Sequence, residues 1–185
     1  YNKPTQEGFY RHFKAVADEV DLPIVLYNIP GRCGAGLTPE TVARLDEHES
    51  IVAIKEATGS LDQASEIAMR CDITILSGDD SLTLPLASIG GKGVISVVAN
   101  VVPADVKAMT DLILEGDLVK ARQWHRKLFA LSKNMLTLAT NPIPIKAAMA
   151  MLDMCSDELR LPMTALEDGK KAALHKTLVD YGLLS

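Results

Sequence analysis

Metal-binding and crosslinking residues are scarce in this chain of 185 residues. Its three cysteines, Cys33, Cys71 and Cys155, lie far apart and form no CxxC pair, and its four histidines show no metal-binding spacing. This pattern argues against a disulfide framework and against a zinc site, and it fits a reducing compartment. We therefore expect no bound metal and a cytoplasmic location.

Clustered positive charge and long apolar runs are also missing. The chain carries 19 Lys and Arg against 24 Asp and Glu, a formal net charge of -5, and the basic residues are scattered. An acidic chain of this kind is a poor partner for nucleic acid or for an anionic membrane. No apolar run approaches the ~20 residues that span a bilayer. We expect neither partner.

What the chain does have is an alternation of apolar strands and amphipathic helices. The patterns predict strands over residues 24–27, 51–56, 73–77 and 93–97. Helices are predicted over 6–20, from Thr38 onward, and over 61–70, 80–89 and 103–115. Such alternation indicates a parallel sheet with crossover helices, and 48% hydrophobic content is enough for a full core.

The pattern changes after Gly116. Residues 117–138, 142–152 and 169–181 read as helices with no strand between them, so we predict a division into an α/β part, 1–116, and a helical appendage, 117–185. A doubly wound sheet and a (β/α)8 barrel both fit the first part. The Gly-rich segment 90–93 precedes its strand, whereas a nucleotide-binding turn would follow one. That placement favours the barrel.

Lys55 ends the otherwise apolar run of residues 51–54 (IVAI). An ammonium at the end of a core strand is costly unless it is paired, neutralised or able to reach solvent along its own stem. A desolvated lysine can lose its proton, and the neutral amine can attack a ketone to form a Schiff base. From this segment alone, a solvent-reaching lysine and a nucleophile both stay open.

Polar residues gather where the predicted strands end. Tyr27, Lys55 and the turn at 77–80 (SGDD) all lie there, and β/α barrels build their active sites at that edge. Strand alternation puts Val52 and Ile54 on one face and Lys55 on the other. If the branched pair packs against helices, Lys55 points into the barrel. This placement favours the functional interpretation.

Five segments of the chain form a specific series in this order: 27–34 (YNIPGRCG), 54–59 (IKEATG), 77–80 (SGDD), 93–97 (GVISV) and 141–146 (NPIPIK). This series closely resembles the dihydrodipicolinate synthase family of pyruvate-dependent class I aldolases. The resemblance extends over essentially the whole chain. It implies the condensation of pyruvate with aspartate 4-semialdehyde in the diaminopimelate route to lysine, with a lysine–pyruvate imine and no separate cofactor.

The resemblance assigns a role to each of six residues. Lys55 matches the imine-forming lysine, Tyr27 a proton-relaying tyrosine, and Tyr1 a second tyrosine that crosses a dimer interface. Three further residues match substrate-binding positions of the family. They are Arg32, which would bind the semialdehyde carboxylate, Ile95, whose backbone would contact pyruvate, and Gly78 in the neighbouring loop.

The resemblance also implies a larger molecule. Four strands are half of an eight-stranded barrel, so we expect the C-terminal half of a (β/α)8 barrel, about four β/α units, and either a fragment or a half that needs a complementary chain. The family further implies a homo-oligomer, dimer or tetramer. Two alternatives stay open: a sibling aldolase such as an N-acetylneuraminate or 2-oxo-sugar-acid lyase, and a catalytically inactive half-barrel that serves as an interaction protein.

Overall fold

The computed structural model describes all residues, 1–185, and divides into two compact units, Tyr1–Ile95 and Ser96–Ser185. The first is an α/β unit whose four strands are all parallel and lie in the order β1-β2-β3-β4. Its strands are β1 Ile24–Asn28, β2 Ile51–Glu56, β3 Thr74–Ser77 and β4 Gly93–Val94. Its helices are α1 Gln6–Glu19, α2 Pro30–Cys33, α3 Pro39–Asp46, α4 Leu61–Arg70 and α5 Thr83–Ala87, with a 3-10 turn at Asp80–Leu82.

The core of the first unit lies between one face of the sheet and its helices. Leu26 and Ile54 are fully buried there, together with Val42 from α3 and Ile67 from α4. The helices begin where the sequence provides caps: the hydroxyl oxygen of Thr38 accepts from the Thr41 N–H at the start of α3. The predicted parallel α/β architecture is thus confirmed.

The second unit is helical. It contains a 3-10 turn at Val98–Asn100, then α6 Pro103–Leu114, α7 Leu118–Thr137, α8 Ile143–Met151 and α9 Asp168–Tyr181. Helix α6 packs against α7, and α9 packs against α7 and α8. A polar link joins three of the helices, because the Tyr181 hydroxyl and the Lys127 ammonium both donate to Asp105. None of these helices, nor any other in the chain, is long and apolar enough to cross a membrane.

Three elements differ from the predictions. The strand expected over 93–97 stops at Val94. Its neighbour β3 ends at Ser77, the residue that pairs with Val94, so no strand residue pairs with the residues after Val94. The helix expected over 80–89 is a 3-10 turn followed by the short α5. Helix α2 was not predicted, since its four residues have no periodicity to detect. The compact units divide at Ile95, ahead of the predicted domain boundary after Gly116, which stays a prediction.

Candidate active site

Two neighbouring strands bring Tyr27 and Lys55 together. In the parallel register of β1 with β2, Tyr27 pairs with Lys55 at the C-terminal ends of both strands. Parallel neighbours in register project their side chains from the same face. The Lys55 Nζ lies 4.0 Å from the centroid of the Tyr27 ring, within the range of a cation–π contact. Tyr27 is 43% exposed and Lys55 is partly buried, so the pair is accessible from solvent.

The face that carries Lys55 is opposite the helix-packed core. Ile54 is fully buried in that core, as the alternation predicts. Val52, the other member of the branched pair, is 45% exposed, and Ile51 lies in the core in its place. The reason is a register irregularity between Ile24 and Val25, which leaves Val52 without a partner on β1. The condition that the branched pair packs against helices therefore holds for Ile54 but not for Val52. Lys55 lies beyond the irregularity and keeps its register with Tyr27.

The turn after β3 lies close to the end of β2. The Gly78 N–H donates to the Glu56 carbonyl oxygen at 2.7 Å. A Cβ at Gly78 would lie 2.5 Å from the Cβ of Ala57, so only glycine permits this approach. The Ser77 hydroxyl donates to the Asp79 carbonyl oxygen and accepts from the Asp79 N–H, which fixes the turn.

Asp79 is an acidic group of this site that sequence reasoning did not single out. Burial raises the pKa of its carboxyl above the usual value, the Asp80 carboxylate raises it further, and the Lys55 ammonium lowers it. The carboxyl of Asp79 is therefore coupled electrostatically to the candidate nucleophile. The SGDD turn contained the signal, but only the fold shows that this carboxyl lies near Lys55.

Ile95 follows β4 beside the end of β3. Its backbone N–H donates to the Ser77 carbonyl oxygen at 3.0 Å, and its side chain is 43% exposed. This hydrogen bond places Ile95 at the same strand-end edge as Gly78 and Lys55. The substrate contact predicted for Ile95 would use its backbone.

Tyr1 and Arg32 line a different part of the first unit. Both border a cavity of about 540 Å³ that is also lined by Phe9 and Phe13 of α1 and by Cys33. Arg32 lies on α2, which ends at Gly34 in a left-handed conformation with φ of 69°. Lys55 and Tyr27 are not among the residues that line this cavity. The six predicted residues therefore form two groups: a strand-end group, and the pair Tyr1 and Arg32.

The face behind Tyr27 and Lys55 carries a buried polar network that was also missed. Asn28 is 1% exposed and Glu56 is 5% exposed, and the Asn28 side-chain amide donates to the Glu56 carboxylate at 3.1 Å. Each follows a predicted catalytic residue directly in sequence. The signal was a polar side chain at the position after Tyr27 and after Lys55, on the face expected to be apolar. The structure contains no group of three or more His, Cys, Asp or Glu able to hold a metal ion.

The fold, together with the edge formed by the C-terminal ends of its strands, defines a parallel α/β protein in which a lysine and a tyrosine are in contact at adjoining strand ends. The profile of the Dihydrodipicolinate synthetase family matches residues 1–180. The chain belongs to this family.

Individual relatives agree with that assignment. The 4-hydroxy-tetrahydrodipicolinate synthases of Pelobacter propionicus and Geotalea uraniireducens are each 53% identical over 186 residues, covering all of this chain and 64% of each relative. The crystal structure of dihydrodipicolinate synthase from Aquifex aeolicus superposes with a TM-score of 0.96 at 48% identity, over 99% of this chain and 63% of that one. The crystal structure of dihydrodipicolinate synthase from Thermotoga maritima superposes with a TM-score of 0.96 at 41% identity, over 100% of this chain and 64% of that one. The chain thus spans about 64% of the length of the curated relatives it matches.

Proposed function

We propose that this chain carries the imine-forming lysine of a Schiff-base lyase of the 4-hydroxy-tetrahydrodipicolinate synthase type. The observation that carries the proposal is the position of the Lys55 Nζ over the Tyr27 ring, at the C-terminal ends of two parallel strands. A nucleophile there is accessible to a small ketone, and the tyrosine hydroxyl is a proton donor and acceptor attached to the neighbouring strand. The names of the relatives support the same reaction.

The first half of the reaction requires a neutral amine and proton transfer. The lone pair of the Lys55 nitrogen attacks the ketone carbon of pyruvate, and the carbonyl oxygen leaves as water after accepting protons. The resulting iminium withdraws electrons, so that the adjacent methyl group loses a proton and becomes an enamine carbon. We assign the relay of these protons to Tyr27, and no metal or organic cofactor takes part in the proposal.

The second half joins the semialdehyde. The enamine carbon attacks the aldehyde carbon of aspartate 4-semialdehyde, and the aldehyde oxygen takes up a proton. The amino group of the semialdehyde then attacks the imine carbon, which closes the ring and releases the Lys55 amine. We assign Arg32 to the semialdehyde carboxylate, because a guanidinium fork pairs with a carboxylate through two hydrogen bonds. Gly78 and the Ile95 backbone would contact pyruvate, and Tyr1 would act across a dimer interface.

We further propose that the four strands are half of a (β/α)8 barrel and that the complete enzyme is a homo-oligomer. Exposed apolar side chains support the first part, since Val25 of β1 and Ile95, directly after β4, remain accessible at a parallel sheet whose two faces are normally covered. The resemblance to solved synthases over the whole of this chain supports it as well.

Exchange of the pyruvate methyl protons for deuterium tests the proposal without the second substrate. Reversible conversion of the iminium to the enamine in D2O replaces these protons, and proton NMR follows the loss of the methyl signal. We expect the chain to accelerate exchange, Lys55→Met to abolish the acceleration, and Tyr27→Phe to slow it about 10²-fold or more. The matched control is Lys92→Met, which removes an exposed lysine from the opposite end of the sheet and should exchange like the wild type. Exchange no faster than in buffer would contradict the proposal.

A further inference from the structure

The buried pair Asn28 and Glu56 lies directly behind the contact between Tyr27 and Lys55. The register that pairs Tyr27 with Lys55 also pairs Asn28 with Glu56 one step further along the same two strands. Because side chains alternate across a strand, the first pair projects from the open face and the second from the helix-packed face. A buried amide and a buried carboxyl are costly unless their hydrogen bonds are made.

Every polar side-chain atom of this pair has a partner. The Asn28 Nδ2 donates to the Glu56 Oε2 at 3.1 Å and to the Leu37 carbonyl oxygen at 3.2 Å, and its Oδ1 accepts from the Leu37 N–H at 3.0 Å. The other carboxylate oxygen of Glu56 accepts from the Thr58 N–H at 2.7 Å. The Asn28 carbonyl oxygen also accepts from the Ala57 N–H at 3.0 Å. These bonds connect both strand ends and the loops that follow them.

We propose that Asn28 and Glu56 are positioning residues that hold the Lys55 ammonium against the Tyr27 ring. The bond between them fixes the strands side by side at the one step that follows the reacting pair. Through Leu37, Asn28 also holds the segment after β1 that carries Arg32. The proposal rests on the proposed function for its catalytic meaning, and on the geometry alone for the placement of Lys55.

Because donors and acceptors are fixed in this pair, single variants can break the bond between Asn28 and Glu56, and a double variant can form it in the reverse direction. In Glu56→Gln, a single amide oxygen replaces two acceptors, so one of the two N–H donors facing it meets an NH2 group. In Asn28→Asp, the carboxylate faces both the Glu56 carboxylate and the Leu37 carbonyl oxygen, which are acceptors. The double variant N28D/E56Q reverses the direction of the bond: the new amide donates to Asp and still accepts from Thr58.

The double variant therefore restores the hydrogen bond between positions 28 and 56 that each single change disrupts, while the Leu37 carbonyl oxygen still faces a carboxylate at position 28. The Leu37 N–H keeps an acceptor at position 28, and the Leu37 carbonyl oxygen keeps a donor in the Gln63 side chain, which bonds it at 3.0 Å. Gln63→Leu is the matched control, because it removes a bond to the same carbonyl and leaves the Asn28–Glu56 bond in place.

The placement of the Lys55 ammonium over the Tyr27 ring can be measured by NMR, without an activity assay. Reductive ¹³C-methylation keeps the lysine charge, and the Tyr27 ring current should shift the methyl resonance of Lys55 upfield; Tyr27→Leu identifies that signal by removing the shift. We expect the shift to be largely lost in each single variant, kept in Gln63→Leu, and restored in the double variant. Unmethylated samples, treated with pyruvate and borohydride, should form the Lys55 adduct roughly 10- to 100-fold more slowly in the single variants and near the wild-type rate in the double variant.

The outcomes separate the two proposals. A wild-type shift in both folded single variants, or a double variant that folds without regaining the shift, would overturn the positioning role. If a single variant does not fold, the double variant decides alone, by the same criterion. If the shift follows the predicted pattern while wild-type protein forms no pyruvyl adduct, the positioning role stands and the proposed function fails.

Discussion

Lys55 and Asp79 are two charged residues of the candidate site that interact electrostatically. From its own segment alone, Lys55 was also open to a structural interpretation, in which its stem carries the ammonium to solvent. The structure places the Nζ over the Tyr27 ring, a contact worth about 0.5–1 kcal/mol at an exposed site. The carboxyl of Asp79 responds to the same ammonium, which lowers its pKa against the larger opposing effect of burial.

This coupling predicts how the pKa of Asp79 responds to changes at Lys55. Lys55→Met removes the one cationic influence and should raise the pKa of Asp79 further above its usual value. Lys55→Arg keeps the positive charge and should leave that pKa nearly unchanged. A pH titration of the ¹³C-labelled carboxyl by NMR measures both, and an unchanged pKa in the Met variant would show that the two groups do not interact.

At the scale of the elements, the close approach of Gly78 holds the turn after β3 against the end of β2. Strand β2 and helix α4 match their predicted bounds, 51–56 and 61–70, because alternating and helical patterns are strong there. The turns between them were less accessible to sequence reasoning. The length of β4 depends on where its neighbour β3 ends, and the closeness of Gly78 to Ala57 depends on the sheet as a whole.

The Gly78 contact predicts the effect of adding a single methyl group. Gly78→Ala would place a Cβ 2.5 Å from that of Ala57 and 3.1 Å from the Glu56 carbonyl oxygen. We expect the overpacking to lower the free energy of unfolding by about 1–3 kcal/mol, measured by urea denaturation.

Two further variants test the cause of that loss. Adding Ala57→Gly to Gly78→Ala should recover part of the stability, since it removes the closest contact. Gly31→Ala is the matched control, because a Cβ at that position would meet no atom within 4 Å beyond its chain neighbours and its own helix. Its effect should stay within about 0.5 kcal/mol. Equal stability of Gly78→Ala and Gly31→Ala would show that the close approach of the turn to β2 does not require glycine.

For the molecule as a whole, the sequence predicted the parallel α/β unit, the helical region after it and the family. It also predicted that Tyr27 and Lys55 lie at the same edge, because the C-terminal ends of parallel strands share one edge, but not that the two side chains are in contact. It did not predict the Asn28–Glu56 pair, since a hydrophobic pattern indicates what is buried and says little of which polar groups are buried together. The contact of Tyr1 and Arg32 with one cavity likewise depends on how α1 lies against the loop after β1.

Reductive trapping decides whether Lys55 forms an imine with pyruvate, on which the proposed function depends. The folded chain is incubated with ¹³C-pyruvate and borohydride, digested and mapped by mass spectrometry, with Lys55→Met treated in parallel. We expect one pyruvyl adduct, on the peptide that contains Lys55, and none in the Met variant. A folded chain that gains no adduct, or gains it equally on other lysines such as Lys92, would refute the assignment of Lys55 as the nucleophile.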